Sequence, residues 1–290
     1  MNPDAILVTG AAGPAGRSIC DQLRRLGQRM IGVDMAAGAG GDPPILPVPA
    51  ANDPKFPATL FDLAEQHGVS VIIPTVTEEL PVLAPFAGGK VPIVIAPLTS
   101  VAIANDKWWT CRYLDVAGVA VPRFQAVAPG FDPAAVAEQL GWPFVSKPRT
   151  GRGGRGVTVH RRHSGQPPTD LPALAQEFAP GTEYAVNLYC PGPGGRHVAV
   201  VLEKTGLAQG EIGNATTVRR VAAPDVADLA IRASRALYLH GPADLDIRRR
   251  ADGRPVVLEV NARFGAHSAA APEVLQRLLE EYRLVEGIPA

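Results

Sequence analysis

Two stretches of the sequence carry side chains whose types and spacing could do chemistry together. One is DLDIRRRADGRPVVLEVNAR, residues 244–263. Its Asp252-Gly253 pair is a strong two-residue hairpin signal. With those two as the loop, Ala251 faces Arg254, and counting back sets Asp246 opposite Glu259 and Asp244 opposite Asn261. Glu259 and Asn261 are two apart and share a strand face, with Val257 on the same face. Three carboxylates and an amide oxygen therefore converge. Directly opposed β-carbons lie roughly 4.5–5.5 Å apart, where like charges repel, so a folded chain keeps such a cluster only if something positive neutralises it. Hard oxygen ligands on rigid strands suit Mg²⁺, which keeps several waters and shares phosphate oxygens. The alternative is a solvent-facing strand carrying unrelated acids, against which Val257 argues by its apolar side chain. The pairing depends on the two-residue loop, because a three-residue loop slips the register and parts the carboxylates.

The other stretch is SKPRTGRGGRGV, residues 146–157, in which Lys147, Arg149, Arg152 and Arg155 are set among four glycines. Glycines free a loop to fold down and bring backbone N–H groups close to phosphate oxygens. A lysine on the preceding strand can then place a point charge on a phosphate. No Lys-Ser/Thr follows the last glycine, so this is not a Walker A sequence. A solvated basic loop is the other reading. Nucleic acid is a poor fit, because no aromatic residues interleave with the charges and no wider basic patch exists.

The elements that must hold these groups can be outlined from periodicity. Apolar runs at 5–10, 30–34, 69–76 and 91–97 read as strands covered on both faces, as in a parallel sheet. A helix is expected over 17–27, capped by Gly27. Residues 1–104 thus read as a βαβ unit. A helix over 105–119 follows, capped by Asn105 or Asp106, with Trp108 and Trp109 expected in the core. PFVSKP reads as a strand, 220–239 contains an amphipathic helix, and the hairpin closes the pattern. Beyond 105 the strands and helices mix without a βαβ beat, which implies an α+β region in two lobes split near 175, with 163–172 the most linker-like segment.

Composition narrows the field. The 290 residues carry 28 basic and 28 acidic side chains, and a zero net charge argues against a general nucleic-acid or membrane-surface binder. Three scattered cysteines point away from a disulfide framework or zinc site and fit a reducing cytoplasm. No signal peptide or membrane-spanning run is evident. Gly10, Gly13 and Gly16 form a GxxGxxG turn, with Asp34 ending the next strand. That turn suits NAD(P) binding by an oxidoreductase, or glycines that merely allow close helix–strand packing. No tyrosine has a lysine three or four residues on, as a short-chain dehydrogenase would need.

The order of these parts resembles the ATP-grasp superfamily, in its carbamoyl-phosphate-synthetase-like, carboxylate–amine ligase branch. TGAAGPAG resembles its N-terminal unit, NDK at 105–107 its first ATP lysine, SKPRTGRGGRGV its second lysine and lid, QEFAPGTEY its hinge, and EVNAR its metal strand, with Ala262 where the family has proline. The resemblance implies an α/β plus α+β fold: a Rossmann-like pre-ATP-grasp domain over 1–104, an N-lobe with the lid over 105–175 and a C-lobe with the metal hairpin over 176–290. It implies that ATP meets Lys107, Lys147, Arg149, Gly151, Gly153, Gly154, Glu177, Phe178, Ala179 and Glu183. Mg²⁺ falls to Asp246, Glu259 and Asn261, and catalysis to Arg263, Lys147 and His267. The implied reaction activates a carboxylic acid as an acyl phosphate and joins it to an amine, in a cytoplasmic, homodimeric enzyme. Glu79 and Glu211 are weaker candidates for facing substrate. An NAD(P)-dependent oxidoreductase, or an ATP-binding protein or kinase without ligation, are the alternatives.

Overall fold

In a computed structural model, residues 5–36, 44–151, 153–163, 171–192, 194–208 and 210–284 are described. The linker-like segment 163–172 falls mostly outside them. The chain opens with β1 (Ala5–Thr9), α1 (Pro14–Arg25), β2 (Met30–Asp34), β3 (Leu46–Pro47), α2 (Phe56–Gln66) and β4 (Val69–Ile73). These strands form a parallel sheet in the order β3-β2-β1-β4. The strand expected at 91–97 is reduced to one parallel bridge, Ile72 to Ile93. α1 starts at Pro14, three residues before its expected start, because proline is well suited to the first helical turn.

After α3 (Leu80–Leu83), α4 (Leu98–Asn105) and α5 (Lys107–Val116) are separated by Asp106, whose carboxylate caps α5 by accepting from the Trp108 and Trp109 N–H groups. Lys107, Thr110, Cys111 and Leu114 take the inner face of α5. That period turns Trp108 and Trp109 outward: Trp109 is exposed, and Trp108 lies under the Arg149 guanidinium, so the core placement expected for them is corrected.

β5 (Phe124–Val127), α6 (Pro133–Leu140), β6 (Phe144–Pro148), β7 (Thr158–His160) and β8 (Ala173–Glu177) make a small antiparallel lobe, order β5-β8-β6-β7. β9 (Glu183–Cys190), β10 (Val198–Leu207), β11 (Ala215–Arg220), β12 (Gly241–Arg249) and β13 (Pro255–Asn261) make a five-stranded antiparallel sheet, order β11-β10-β9-β12-β13, backed by α7 (Pro224–Ala236) and α8 (Pro272–Glu281). The chain passes from one antiparallel sheet to the other over 178–182.

Apolar burial divides the molecule differently from the sheets. Ala5 and Leu7 of the parallel sheet share one core with Val186, Leu188 and Leu245 of the five-stranded sheet. Ile6 and Val8 share another with Leu202 and α8. The small lobe has its own core around Phe144, Val136 and Leu140. The two larger sheets are thus welded by common burial, while the small lobe stands apart. Among the described residues no helix is long and apolar enough to cross a membrane.

Just past the C-terminus of α7 lies Tyr238, a non-glycine residue with φ of 51° and an exposed side chain. It occupies the left-handed position after the helix, where Leu239 N–H donates to Ser234 O. Left-handed backbone costs a side-chain-bearing residue about 1–2 kcal/mol. Tyr238→Gly is therefore expected to raise stability by about 1 kcal/mol, read as a higher urea midpoint at unchanged m-value. A lower midpoint would show that the tyrosine ring contributes more than the strain costs.

Candidate functional site

A cavity of about 600 Å³ lies where the three sheets meet. The small lobe contributes Lys147, Gly153, Gly154 and Arg155, and the connection to the five-stranded sheet contributes Glu177, Phe178 and Ala179. Glu183, Asp246, Glu259, Asn261, Arg263 and His267 line the opposite wall. Gly10, Gly13, Gly16 and Thr75 of the parallel-sheet unit close one end.

The β12–β13 register pairs Asp246 with Glu259 and Asp244 with Asn261, the pairing anticipated from sequence, but by another route. Arg250 N–H donates to Arg254 O, so the loop is three residues, Ala251-Asp252-Gly253, with Gly253 at φ 81°. Near the turn the ladder is accordingly one residue out, Ile247 to Val257. A bulge at Leu258 restores the pairing before the acids are reached. It also moves Val257 to the opposite face, into the core with Val260 and Ala262, correcting the shared face expected for it. The Leu258 carbonyl accepts a hydrogen bond from Lys147 Nζ at 2.8 Å.

Each acid at the site meets a cation. Lys204 Nζ lies 2.6 Å from Glu183 Oε1 and 2.7 Å from Asp246 Oδ1. Lys107 Nζ lies 3.1 Å from Glu259 Oε1, and Arg248 Nη1 lies 3.3 Å from Glu183 Oε2. Arg263 Nη2 donates to Asn261 Oδ1 at 3.0 Å. Burial pushes the Glu183 carboxyl up, against the pull of Lys204. Burial pushes Lys147 down, against Glu259. Burial alone would lower Lys204, but Asp246 and Glu183 together raise it. The Asp244 carboxyl is raised to about 6 by burial and by Asp246. Burial lowers the His267 imidazole, which is hydrogen-bonded to the Ala215 backbone.

Lys204 was not singled out by any sequence motif. A signal existed: the sequence holds only five lysines, and Lys107, Lys147 and Lys204 all gather here. Arg248 was missed as well; its guanidinium lies over the Phe178 ring at 4.9 Å. Other residues sit elsewhere than the resemblance implies. Arg149 turns to Asp106, with Nη2–Oδ2 at 2.5 Å, and is not among the cavity-lining residues. Gly151 is one layer back, its carbonyl accepting from Lys107 Nζ at 2.8 Å. Glu177 faces the cavity but accepts from the Arg123 backbone N–H at 3.2 Å. Neither Glu79 nor Glu211 lines the cavity: Glu79 is buried and accepts from the Thr9 hydroxyl, and Glu211 pairs with Arg161.

The glycine turn is explained by packing. A β-carbon on Gly16 would lie 2.1 Å from Gly10 O, so α1 can approach β1 only without a side chain there. Asp34, which a dinucleotide fold leaves for a ribose, accepts instead from its own chain at Ala12 N–H (3.0 Å) and Ala36 N–H (3.2 Å).

The donors Asp246, Glu259 and Asn261 fit a magnesium ion in kind. They are hard oxygens on adjacent strands, and two carboxylates plus phosphate oxygens and water are a usual magnesium shell. Among the described residues no group of three or more His, Cys, Asp or Glu is gathered as a cation cage, so this donor set needs ligands from elsewhere to complete a shell. The side chains of Lys204 and Glu183 are only 5% and 9% exposed. Removing one partner of a buried ion pair costs about 3–5 kcal/mol. Lys204→Met is therefore expected to lower unfolding free energy by about 3 kcal/mol in urea denaturation, with Lys204→Arg losing less; a neutral Lys204→Met would mean that water already screens these carboxylates.

Comparison with known proteins agrees with this geometry. The model of the ATP-grasp domain family matches residues 104–267. D-alanine–D-alanine ligase of Cupriavidus necator is 27% identical over 244 residues, spanning 78% of this chain and 72% of that protein. The crystal structure of an L-amino acid ligase from Bacillus licheniformis superposes with TM-score 0.70 at 20% identity, covering 93% of this chain and 69% of that one. That of N5-carboxyaminoimidazole synthetase from Staphylococcus aureus, solved with ADP, does so with TM-score 0.72 at 14% identity, covering 99% and 78%. With more than half its length matched by that family model, the chain belongs to the ATP-grasp family.

Proposed function

We propose that this protein is an ATP-dependent carboxylate–amine ligase. The observation that carries the reading is the single cavity in which cations and hairpin acids alternate beneath a glycine-rich loop. Its relatives are named as ligases of amino acids, which supports small acids and amines as substrates. In this reading residues 1–104 are a Rossmann-like pre-ATP-grasp domain, 105–175 the N-lobe and 176–290 the C-lobe. The separate core of the small lobe suits a lobe that closes on nucleotide.

ATP lies with its adenine against Glu177, Phe178 and Ala179, and Glu183 accepts from the ribose hydroxyls. Lys147 and Lys107 offset phosphate charge, with Gly153 and Gly154 closing above. Asp246, Glu259 and Asn261 would hold Mg²⁺, which would supply neutralisation of charge on the phosphate oxygens. An oxygen of the acid substrate attacks the γ-phosphorus, and ADP leaves with the electrons of the broken P–O bond. The amine nitrogen then attacks the acyl carbon, phosphate departs, and the amine's proton passes to His267, held neutral by burial. Arg263 contacts the transferring phosphoryl group. Most of the rate comes from positioning and charge neutralisation, and the closed lid keeps water from the acyl phosphate.

Two measurements test this. Mg-ATP is expected to raise the melting temperature while NADPH does not, and a screen of amino-acid pairs is expected to find ADP release that needs both an acid and an amine. Release with the acid alone would make the protein a kinase. Glu259→Gln is expected to cut that turnover on the order of a hundredfold or more while keeping the far-UV circular dichroism; full activity in this variant would remove the metal assignment.

A further inference from the structure

Arg263 leaves the end of β13 and reaches across to the parallel-sheet unit. Its Nε donates to the Thr77 hydroxyl at 3.2 Å, its Nη1 to Phe264 O at 2.8 Å and its Nη2 to Asn261 Oδ1 at 3.0 Å. A guanidinium is planar, so anchoring Nε and one edge fixes the plane and the direction in which its remaining N–H bonds point. Two anchors come from the five-stranded side. The third comes from a segment 186 residues earlier in the chain.

That segment is itself held tightly. Thr77 opens a short 3-10 turn, Thr77–Glu79, just after β4. Thr75 Oγ1 donates to Thr9 O at 2.7 Å, and Thr75 N–H donates to Thr9 Oγ1 at 3.2 Å. The Thr9 hydroxyl donates in turn to the buried Glu79 carboxylate. Glu79 N–H donates to Val76 O at 3.2 Å. Gly10, at φ 60°, lets the first turn press against this loop: a β-carbon there would lie 2.4 Å from Val76 Cγ2. A buried carboxylate and two threonines, Thr9 and Thr75, thus stiffen one short loop, and that stiffness places the half-buried Thr77 hydroxyl under Arg263.

We propose that Thr77 is a positioning residue for the phosphoryl-transfer step, acting through Arg263, so that the 1–104 unit completes the catalytic site of the 105–290 region. The inference rests on the ligase reading above, in which Arg263 meets the transferring phosphoryl group. It assigns the N-terminal unit a part in orienting charge, distinct from any contact it makes with the acid or amine. The hydroxyl accepts from a cation, and hydrogen bonds to charged groups are stronger than neutral ones. Its loss leaves Arg263 charged and only partly aimed.

The test needs no identified substrate. Binding of Mg-ADP and of Mg-AMP-PNP, which keeps a γ-phosphoryl group, is titrated calorimetrically for the whole chain and its variants. Thr77→Val is expected to weaken AMP-PNP about tenfold and to leave ADP within about twofold. Thr77→Ser is expected to restore the AMP-PNP affinity. Arg263→Ala is expected to remove the preference for AMP-PNP, and adding Thr77→Val to it is expected to change nothing further. Equal weakening of both nucleotides by Thr77→Val, or failure of Thr77→Ser to restore, would make Thr77 structural and overturn the proposal. So would an unaltered preference in Thr77→Val. If Arg263→Ala keeps the preference, the Arg263 assignment fails and takes this inference with it. If the unmutated chain binds neither nucleotide, the ligase reading itself is at fault.

Discussion

Everything at this site answers to one constraint: like charges have been brought together on neighbouring strands. Asp244 and Asp246 on β12 stand opposite Asn261 and Glu259 on β13, with Glu183 on the adjoining β9. In a half-dehydrated cavity such a group repels itself unless each member has a positive partner. The fold supplies those partners from three directions. Lys204 comes from β10 to Asp246 and Glu183, Lys107 from α5 to Glu259, and Arg263 from beyond β13 to Asp244. The cost of gathering acids therefore dictates which elements must meet. The helix after Asp106 and the strands β10, β9, β12 and β13 of the five-stranded sheet are tied by ion pairs as well as by apolar burial. In this arrangement the acids are not left without a counter-charge.

The hairpin shows how local irregularity serves that constraint. A three-residue loop would have parted the acids, and the bulge at Leu258 returns them to register. The same bulge presents the Leu258 carbonyl to Lys147. Lys147 belongs to the small lobe and Leu258 to the five-stranded sheet, so this bond crosses the cavity. Lys107 likewise spans Glu259 and the Gly151 carbonyl at the base of the lid. The small lobe has a core of its own and is tied to the acidic wall by Lys147 and, through the Gly151 carbonyl, by Lys107 of α5. Polar bonds of this kind break at far lower cost than a shared apolar core.

Much of this was legible in the sequence because the informative residues are close together in it. The Asp106 cap, the β6 strand with its glycine loop, and the acidic hairpin each lie within about twenty residues. Local rules of capping, alternation and turn chemistry reach that far. The acid pairing was read correctly although the loop length was not, since two one-residue departures cancelled, and no sequence rule announces a bulge at a leucine. Lys204 was illegible for a different reason. Its partners lie on β9 and β12, and only the sheet order β10-β9-β12 makes them neighbours. Trp108 and Trp109 fall outside the core expected for them because the helix period assigns the inner face to Lys107, Thr110 and Cys111. The family resemblance supplied the meaning of the hinge, which its residue types alone do not convey.

The glycine turn near the N-terminus makes the same point about function. As a motif, GxxGxxG before a helix invites a dinucleotide, and here its geometry is spent internally: Asp34 binds its own turn, and Gly16 exists to let α1 lie against Gly10. Yet the turn is not idle, because Gly10, Gly13 and Gly16 form one end of the cavity. The tight packing that removes the dinucleotide reading is what brings the β4 loop to Arg263. Because the parallel sheet and the five-stranded sheet share two cores, that approach is fixed by burial on both sides. The turn is thus a rigid wall, and rigidity at that wall is what a single hydroxyl needs if it is to hold an arginine in one orientation.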